Sequence, residues 1–104
     1  MRRALTGFGS MLLLVGLGTA ISAAPDVPHG KVLAERWCAQ CHLVSAGQRQ
    51  ASADAPPFAS VAKRPDLSAS QLAFFLLAPH PPMPSMSLSR TEATDLAAYI
   101  ATLK

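Results

Sequence analysis

The sequence predicts an all-α fold, and two kinds of pattern support that class. Residues 68–71 (SASQ) and 89–92 (SRTE) both have the form of a capping box, which begins a helix by bonding the side chains of its first and fourth residues to each other's backbone N–H groups. Apolar residues follow both boxes at helical spacing. No segment alternates apolar and polar residues as a half-buried strand would.

Three helices are predicted along the chain. The first spans residues 28–39, because Pro28 suits a first helical turn. The second begins at Ser68 and stops before Pro79, since the residue that precedes a proline is pushed out of helical angles. The third begins at Ser89 and runs to about the C-terminus. Its apolar stripe consists of Leu96, Ile100 and Leu103, with Ala93 and Ala97 beside it.

Two irregular segments separate these helices. Residues 43–58 are rich in Ser, Ala, Gly, Gln and Pro, and we expect them to form a loop. Residues 79–84 (PHPPMP) are locally stiff, because proline locks one backbone angle and lacks an N–H group. The prediction is therefore a set of helices joined by loops, with no strand between them.

The N-terminus has the three parts of a secretory signal peptide. Two arginines follow Met1, an apolar stretch covers residues 5–21, and small residues occupy positions 22–24. We therefore predict that residues 1–23 are a signal peptide cleaved on export to the periplasm, and that residues 24–104 form one domain. An uncleaved membrane anchor is the alternative, although four glycines interrupt the stretch and it could span only marginally, since a membrane helix needs ~20 mostly apolar residues.

The charge distribution argues against a nucleic-acid partner. The formal net charge is +3, and the leader contributes two of the arginines. The remaining basic residues are scattered through the domain rather than clustered in a patch. A domain of about 80 residues has a marginal hydrophobic core unless a disulfide or a cofactor reinforces it. This need directs attention to the two cysteines of the chain.

Cys38, Cys41 and His42 form a C-x-x-C-H motif, which is typical of covalent c-type haem attachment. Residues three apart lie on the same side of a helical turn, so both thiols can reach the vinyl groups along one porphyrin edge. His42 then projects towards the iron. Three other interpretations are a disulfide between the cysteines, a thioredoxin-like redox pair, which needs a βαβ context, and a zinc site, which needs a fourth ligand.

Two methionines in the proline-rich region are candidates for a sixth iron ligand. Met83 and Met86 lie between predicted helices, whereas a methionine that fills the core normally belongs to a periodic element. A methionine paired with histidine raises the reduction potential of the iron, which suits electron transfer. His29 and His80 are the alternative ligands, and His80 is the stronger of these two because it lies three residues before Met83.

These features together resemble a class I c-type cytochrome of the short bacterial kind. The resemblance rests on residues 30–42 (GKVLAERWCAQCH), 55–62 (APPFASVA) and 83–103, and it covers almost the whole domain. It implies the cytochrome c fold, in which three to four helices surround one covalent haem c. Cys38 and Cys41 resemble the two thioether anchors of the family.

The remaining ligands and their supports follow from the same resemblance. His42 resembles the proximal ligand, and Met83 resembles the distal ligand because it directly precedes a proline, with Met86 as the alternative. Pro56 resembles the proline whose carbonyl accepts a hydrogen bond from Nδ1–H of the proximal histidine, and Pro57 is its rival. Such a bond orients the ring and makes the ligand more basic.

Gly30 resembles the small residue at which the first and last helices of the family cross. At this position it would let the two backbones approach closely, against Leu96 and Tyr99. Residues 74–77 (FFLL) would wall the haem pocket. The family resemblance therefore predicts packing contacts as well as ligands.

The resemblance implies an electron carrier rather than an enzyme. Its partners would be redox proteins such as a dehydrogenase or an oxidase, and it would be a monomer that meets a membrane only if its leader is retained. Two alternatives stay open. One is an electron-transfer subunit of a periplasmic dehydrogenase or oxidase complex, and the other is a gas- or peroxide-reactive haem protein with a labile sixth site.

Overall fold

The computed structural model describes residues 12–19, 23–52 and 54–104. Most of the predicted signal peptide, residues 1–11 and 20–22, lies outside the described residues, and its cleavage stays a prediction. Residues 12–19 form neither helix nor strand, and their side chains are exposed. None of the helices in the described part of the chain has both the length and the apolar character of a membrane span.

Four helices make up the domain, and the described residues contain no strand, so the predicted all-α class is confirmed. They are α1 (Val27–Trp37), α2 (Phe58–Ala62), α3 (Ala69–Leu77) and α4 (Arg90–Ala101). Helix α1 ends at Trp37, two residues before the predicted end. Helix α2 was not predicted, because five residues are too few to display a helical period.

Each of the three long helices begins at a side chain that bonds to its first backbone N–H groups. Asp26 accepts a hydrogen bond from the His29 N–H at the start of α1. Ser68 and Ser89 cap α3 and α4, and the reciprocal bonds of both predicted capping boxes are present. Because these bonds are local, the starts of α3 and α4 could be predicted without knowledge of the tertiary fold.

Helix α4 is the central element of the domain, since α1, α2 and α3 each pack against it. Its buried residues are Ala93, Asp95, Leu96, Ala97, Tyr99 and Ile100. The predicted stripe is confirmed at Leu96 and Ile100, which are almost fully buried, while Leu103 lies beyond the helix end and is partly buried against the core. The other helices contribute Leu33, Ala34, Phe58, Ala62, Leu72 and Leu76 to the same core.

Gly30 lies where α1 crosses α4, as the family resemblance predicts. A Cβ atom built on Gly30 would collide with the backbone carbonyl of Asp95 and would lie 2.9 Å from the Cβ of Tyr99. The predicted contact with Tyr99 is thus confirmed, whereas Asp95 takes the place expected for Leu96. The absence of a side chain at Gly30 allows the two helix backbones to come this close.

The N-terminal end of α1 is also tied to α4 by a buried carboxylate. Asp95 is only 4% exposed, and it accepts hydrogen bonds from the Asp26 N–H at 2.8 Å and from His29 Nδ1 at 2.9 Å. The hydrogen bond with Asp95 raises the pKa of His29, and the charges of Asp95, Asp26 and Glu92 add to that effect. Hydrogen bonds from His29 and from the Asp26 backbone lower the pKa of Asp95.

We expect this pair to make stability depend on pH in a defined window. Because the pKa of His29 is raised in the folded protein, the interaction of His29 with Asp95 contributes fully to stability below pH 6.5, the ordinary pKa of histidine. This contribution is lost as the pH rises through the raised pKa. Because the pKa of Asp95 is lowered, the ionised carboxylate contributes fully to stability above pH 3.8. This contribution is lost as the pH falls through the lowered pKa. The contribution of the pair is therefore greatest between pH 3.8 and pH 6.5.

Urea unfolding of the wild-type protein and of a His29→Ala variant, at about pH 5 and about pH 9, measures this contribution. The difference in unfolding free energy between the two proteins should be larger at the lower pH. A Lys31→Ala variant is the control, since Lys31 forms only an exposed pair with Glu35 on α1. An equal difference at both pH values would contradict the prediction.

Candidate haem site

The C-x-x-C-H motif forms a tight turn directly after α1. The Cys38 N–H still donates to the Ala34 carbonyl at 2.9 Å, which makes Cys38 the C-terminal cap of the helix. The N–H groups of Cys41 and His42 both donate to the Cys38 carbonyl, at 3.1 and 2.9 Å. The motif therefore folds as one closed turn on the end of a helix that is itself anchored against α4.

The two thiols of the motif have different surroundings. Both cysteines are free, Cys38 being buried in the core and Cys41 exposed. Burial, with a smaller effect from Cys41, raises the pKa of the Cys38 thiol to about 11, so this thiol is protonated at neutral pH. The disulfide interpretation has no support from these free thiols. The zinc interpretation has none either, since the described residues hold no cluster of three or more His, Cys, Asp or Glu side chains suited to a metal ion.

The imidazole of His42 is held on one side by the loop that precedes α2. Its Nδ1 lies 2.6 Å from the carbonyl oxygen of Pro56. Because a carbonyl can only accept, Nδ1 carries the proton and Nε2 is the nitrogen available to a metal. The ring of Phe58, the first residue of α2, lies 5.1 Å from the His42 ring at an angle of 44°. Pro57 has a different place, since it caps α2.

Gln48 joins the attachment turn to the following loop, a role that the sequence alone does not predict. Its side-chain amide donates to the carbonyls of Ala39, His42 and Gln50, at 2.7, 2.8 and 3.0 Å. Its Oε1 accepts the Val44 N–H at 2.9 Å. No sequence signal marks such a residue, because a glutamine in a Gly- and Ser-rich loop cannot be distinguished from a solvated surface residue.

The two candidate methionines lie in the irregular segment between α3 and α4. Both side chains are partly buried, but only Met83 is among the residues that pack against the core. The Met83 N–H donates to the His80 carbonyl at 3.0 Å, which closes a turn around the Pro81–Pro82 pair. Ser87 has a φ of 53°, in the left-handed region, as the chain turns towards the start of α4.

The alternative histidine ligands both have partners within the protein. His80 Nδ1 lies 2.8 Å from the Pro81 carbonyl, and its ring packs edge-on against Phe75 at 5.2 Å. His29 pairs with Asp95 at the start of α1, a contact between residues 66 positions apart that no local sequence pattern predicts.

Residues 74–77 do not share one environment, and their role as walls of the haem pocket stays a prediction. Leu76 is buried against the core together with Leu72, one helical turn before it, and Phe75 is partly buried. Phe74 lies on the opposite side of α3 and is 76% exposed. The sequence FFLL is apolar all round, so only packing against α4 decides which of its faces is buried.

The chemistry of these donors fits a covalently bound haem. Two free thiols three residues apart can form thioethers, and the neighbouring imidazole presents Nε2 with its Nδ1 already engaged. Met83 offers a thioether sulfur, a soft donor that favours Fe(II). Two cysteine thiols suit covalent attachment of a haem, and an imidazole and a thioether are groups that can coordinate its iron.

Comparison with known proteins identifies the family of the chain. The family model for cytochrome c matches residues 27–104. Cytochrome c-552 of Bradyrhizobium diazoefficiens is 58% identical to the chain over 94 residues, which are 90% of this chain and 90% of that protein. No solved structure matches the chain significantly. The chain therefore belongs to the cytochrome c family, as a class I c-type cytochrome that binds haem c covalently.

Proposed function

We propose that this cytochrome is a periplasmic carrier of single electrons in which His42 and Met83 are the axial ligands of the haem iron. The observation that carries the proposal is the 2.6 Å contact between His42 Nδ1 and the Pro56 carbonyl. That contact leaves Nε2 free to coordinate and holds the ring in one orientation. A ligand held in this way need not move when the iron changes its oxidation state.

The chain's own residues have separable tasks in this proposal. Cys38 and Cys41 form the two thioether bonds, and their position on the turn that ends α1 fixes the attachment to a helix that packs against α4. The Pro56 carbonyl orients the His42 ring by accepting a hydrogen bond from Nδ1–H. When bound, the haem supplies one-electron redox chemistry, and its potential depends on the ligands, the burial and the hydrogen bonds that the protein provides.

Met83 is proposed as the sixth ligand because it packs against the core and directly precedes Pro84. A residue held on one side by the core loses little further freedom when its sulfur binds iron, so coordination costs less conformational entropy. Met86 lies beside the left-handed Ser87 and is not among the residues that pack against the core. It stays the alternative ligand.

The surroundings of the carrier are part of the same proposal. Removal of residues 1–23 would release residues 24–104 into the periplasm as a monomer, and retention of the leader would instead anchor the domain to a membrane. The partners would be a dehydrogenase that donates electrons and an oxidase that accepts them. The name of the Bradyrhizobium relative, a cytochrome c-552, supports a role as a cytochrome but specifies no partner.

The proposal is tested on the mature protein isolated from its host. Mass spectrometry reports the haem adduct and the N-terminus together, and a redox titration reports a reversible one-electron couple. Gel filtration separates a free carrier from a subunit of a larger complex. Carbon monoxide binding by the reduced protein, without a Met–Fe(III) charge-transfer band in the oxidised protein, would favour a gas- or peroxide-reactive haem protein and refute the proposal.

Replacing the two methionines separately identifies the sixth ligand. A Met83→Ala variant should lose the Met–Fe(III) charge-transfer band, bind carbon monoxide when reduced, and have a lower reduction potential, because the soft sulfur that favours Fe(II) is gone. The matched Met86→Ala variant should keep the band. The reverse result would assign the ligand to Met86.

A further inference from the structure

The Gln48 side chain is the most highly bonded polar group next to the attachment turn. It takes part in four hydrogen bonds, to the backbone of Ala39, His42, Val44 and Gln50. Three of these partners are carbonyls, so the amide NH2 of Gln48 must point towards them. The fourth partner is an N–H group, so the amide oxygen must point towards it. The partners thus allow only one orientation of the amide.

Two of the carbonyls belong to opposite ends of the attachment turn. Ala39 follows the first cysteine of the motif, and His42 ends the motif, so a single amide nitrogen holds both ends together. Helix α1 ends at Trp37, and the carbonyls of the turn have no continuing helix to accept bonds from. The Gln48 amide therefore provides the donors that a longer helix would have supplied.

The same side chain connects the turn to α4 through Val44. Val44 is 1% exposed, its N–H donates to Gln48 Oε1, and its carbonyl accepts the Tyr99 hydroxyl at 2.5 Å. Because Val44 is buried, water cannot readily replace either bond. A continuous series of hydrogen bonds thus runs from the last helix, through Val44 and Gln48, to the carbonyl of His42.

We propose that Gln48 is a positioning residue for His42, which holds the backbone of the ligand while Pro56 holds its ring. This inference rests on the proposed role of His42 as a haem ligand. The bond from Gln48 fixes the position of the His42 backbone, and the bond to Pro56 fixes the orientation of its imidazole ring. Loss of the backbone restraint should let the ring rotate or shift relative to the iron, because Gln48 acts through the His42 carbonyl.

Two substitutions remove the restraint in different ways. Gln48→Leu keeps much of the side-chain volume but removes the donors and the acceptor. Gln48→Glu keeps the acceptor for Val44 but places a carboxylate oxygen against the three carbonyls. Gln50→Glu is the matched control, because it introduces the same charge at an exposed position two residues away.

The readout is proton NMR of the oxidised haem-loaded protein, in which the shifts of the haem methyl groups depend on the orientation of the axial ligands. Both Gln48 variants should have a changed pattern of methyl shifts. Gln48→Leu, which lacks the acceptor for the Val44 N–H, should also show faster hydrogen exchange at that amide. Gln50→Glu should retain the wild-type pattern. His29→Ala is a second control, since it loosens the domain at the far end of α1 and should leave the methyl shifts unchanged.

The possible results separate the two proposals. Wild-type methyl shifts in both Gln48 variants would overturn the positioning role, even if these variants were less stable. Failure of both variants to acquire haem, with normal acquisition by His29→Ala and Gln50→Glu, would support it, because attachment itself needs the ordered turn. A wild-type protein without covalent haem would instead refute the proposed function.

Discussion

Replacing Gly30 by alanine should destabilise the protein by about 3 kcal/mol, the upper part of the usual range for overpacked sites. The added methyl group would meet the backbone carbonyl of Asp95, which cannot rotate away as a flexible side chain can. Helices α1 and α4 would have to separate, which would weaken the hydrogen bonds of Asp95 to His29 and to the Asp26 N–H. This cost exceeds the ~1 kcal/mol that alanine gains over glycine inside a helix.

Urea unfolding at neutral pH measures the effect, and Gly47→Ala is the matched control. A Cβ on Gly47 would meet nothing within 4 Å, and no described glycine has a positive φ. That substitution should therefore be neutral or slightly stabilising, because alanine restricts the unfolded chain. Equal stability of the two variants would show that the crossing of α1 and α4 can relax at little cost.

Loss of both cysteines should have the largest effect of any change near the site. A double variant, Cys38→Ser with Cys41→Ser, has no thiol to hold the haem and should be colourless after purification. A domain of about 80 residues buries too little apolar surface to be robust alone, and binding of a cofactor to the native state adds directly to its stability. Far-UV circular dichroism of the double variant should therefore show reduced helix content.

The single variants distinguish attachment from packing. Cys38 is 4% exposed within the core, so a serine there also buries a hydroxyl group, whereas Cys41 is exposed. We expect Cys41→Ser to keep one thioether and more of its stability than Cys38→Ser keeps. Native-like helix content and thermal stability in the double variant would contradict the coupling of haem attachment to folding.

The features that could be predicted from the sequence are those whose causes are local. The capping boxes at Ser68 and Ser89 need only residues three positions apart, and both start helices where expected. The proline at position 79 ends α3 for an equally local reason. The C-x-x-C-H motif likewise implied its cofactor, because five consecutive residues contain both anchors and one ligand.

Only the tertiary structure decided how distant segments support that motif. Pro56 rather than Pro57 faces His42, Asp95 rather than Leu96 meets Gly30, and these choices depend on contacts between separate segments. Neither the Gln48 network nor the burial of one face of α3 has a sequence signature. Periodicity and capping act over one or two helical turns, so they can be read from neighbouring residues. A hydrogen bond to a backbone atom of another segment does not require any particular residue type at that position, so the sequence does not reveal it.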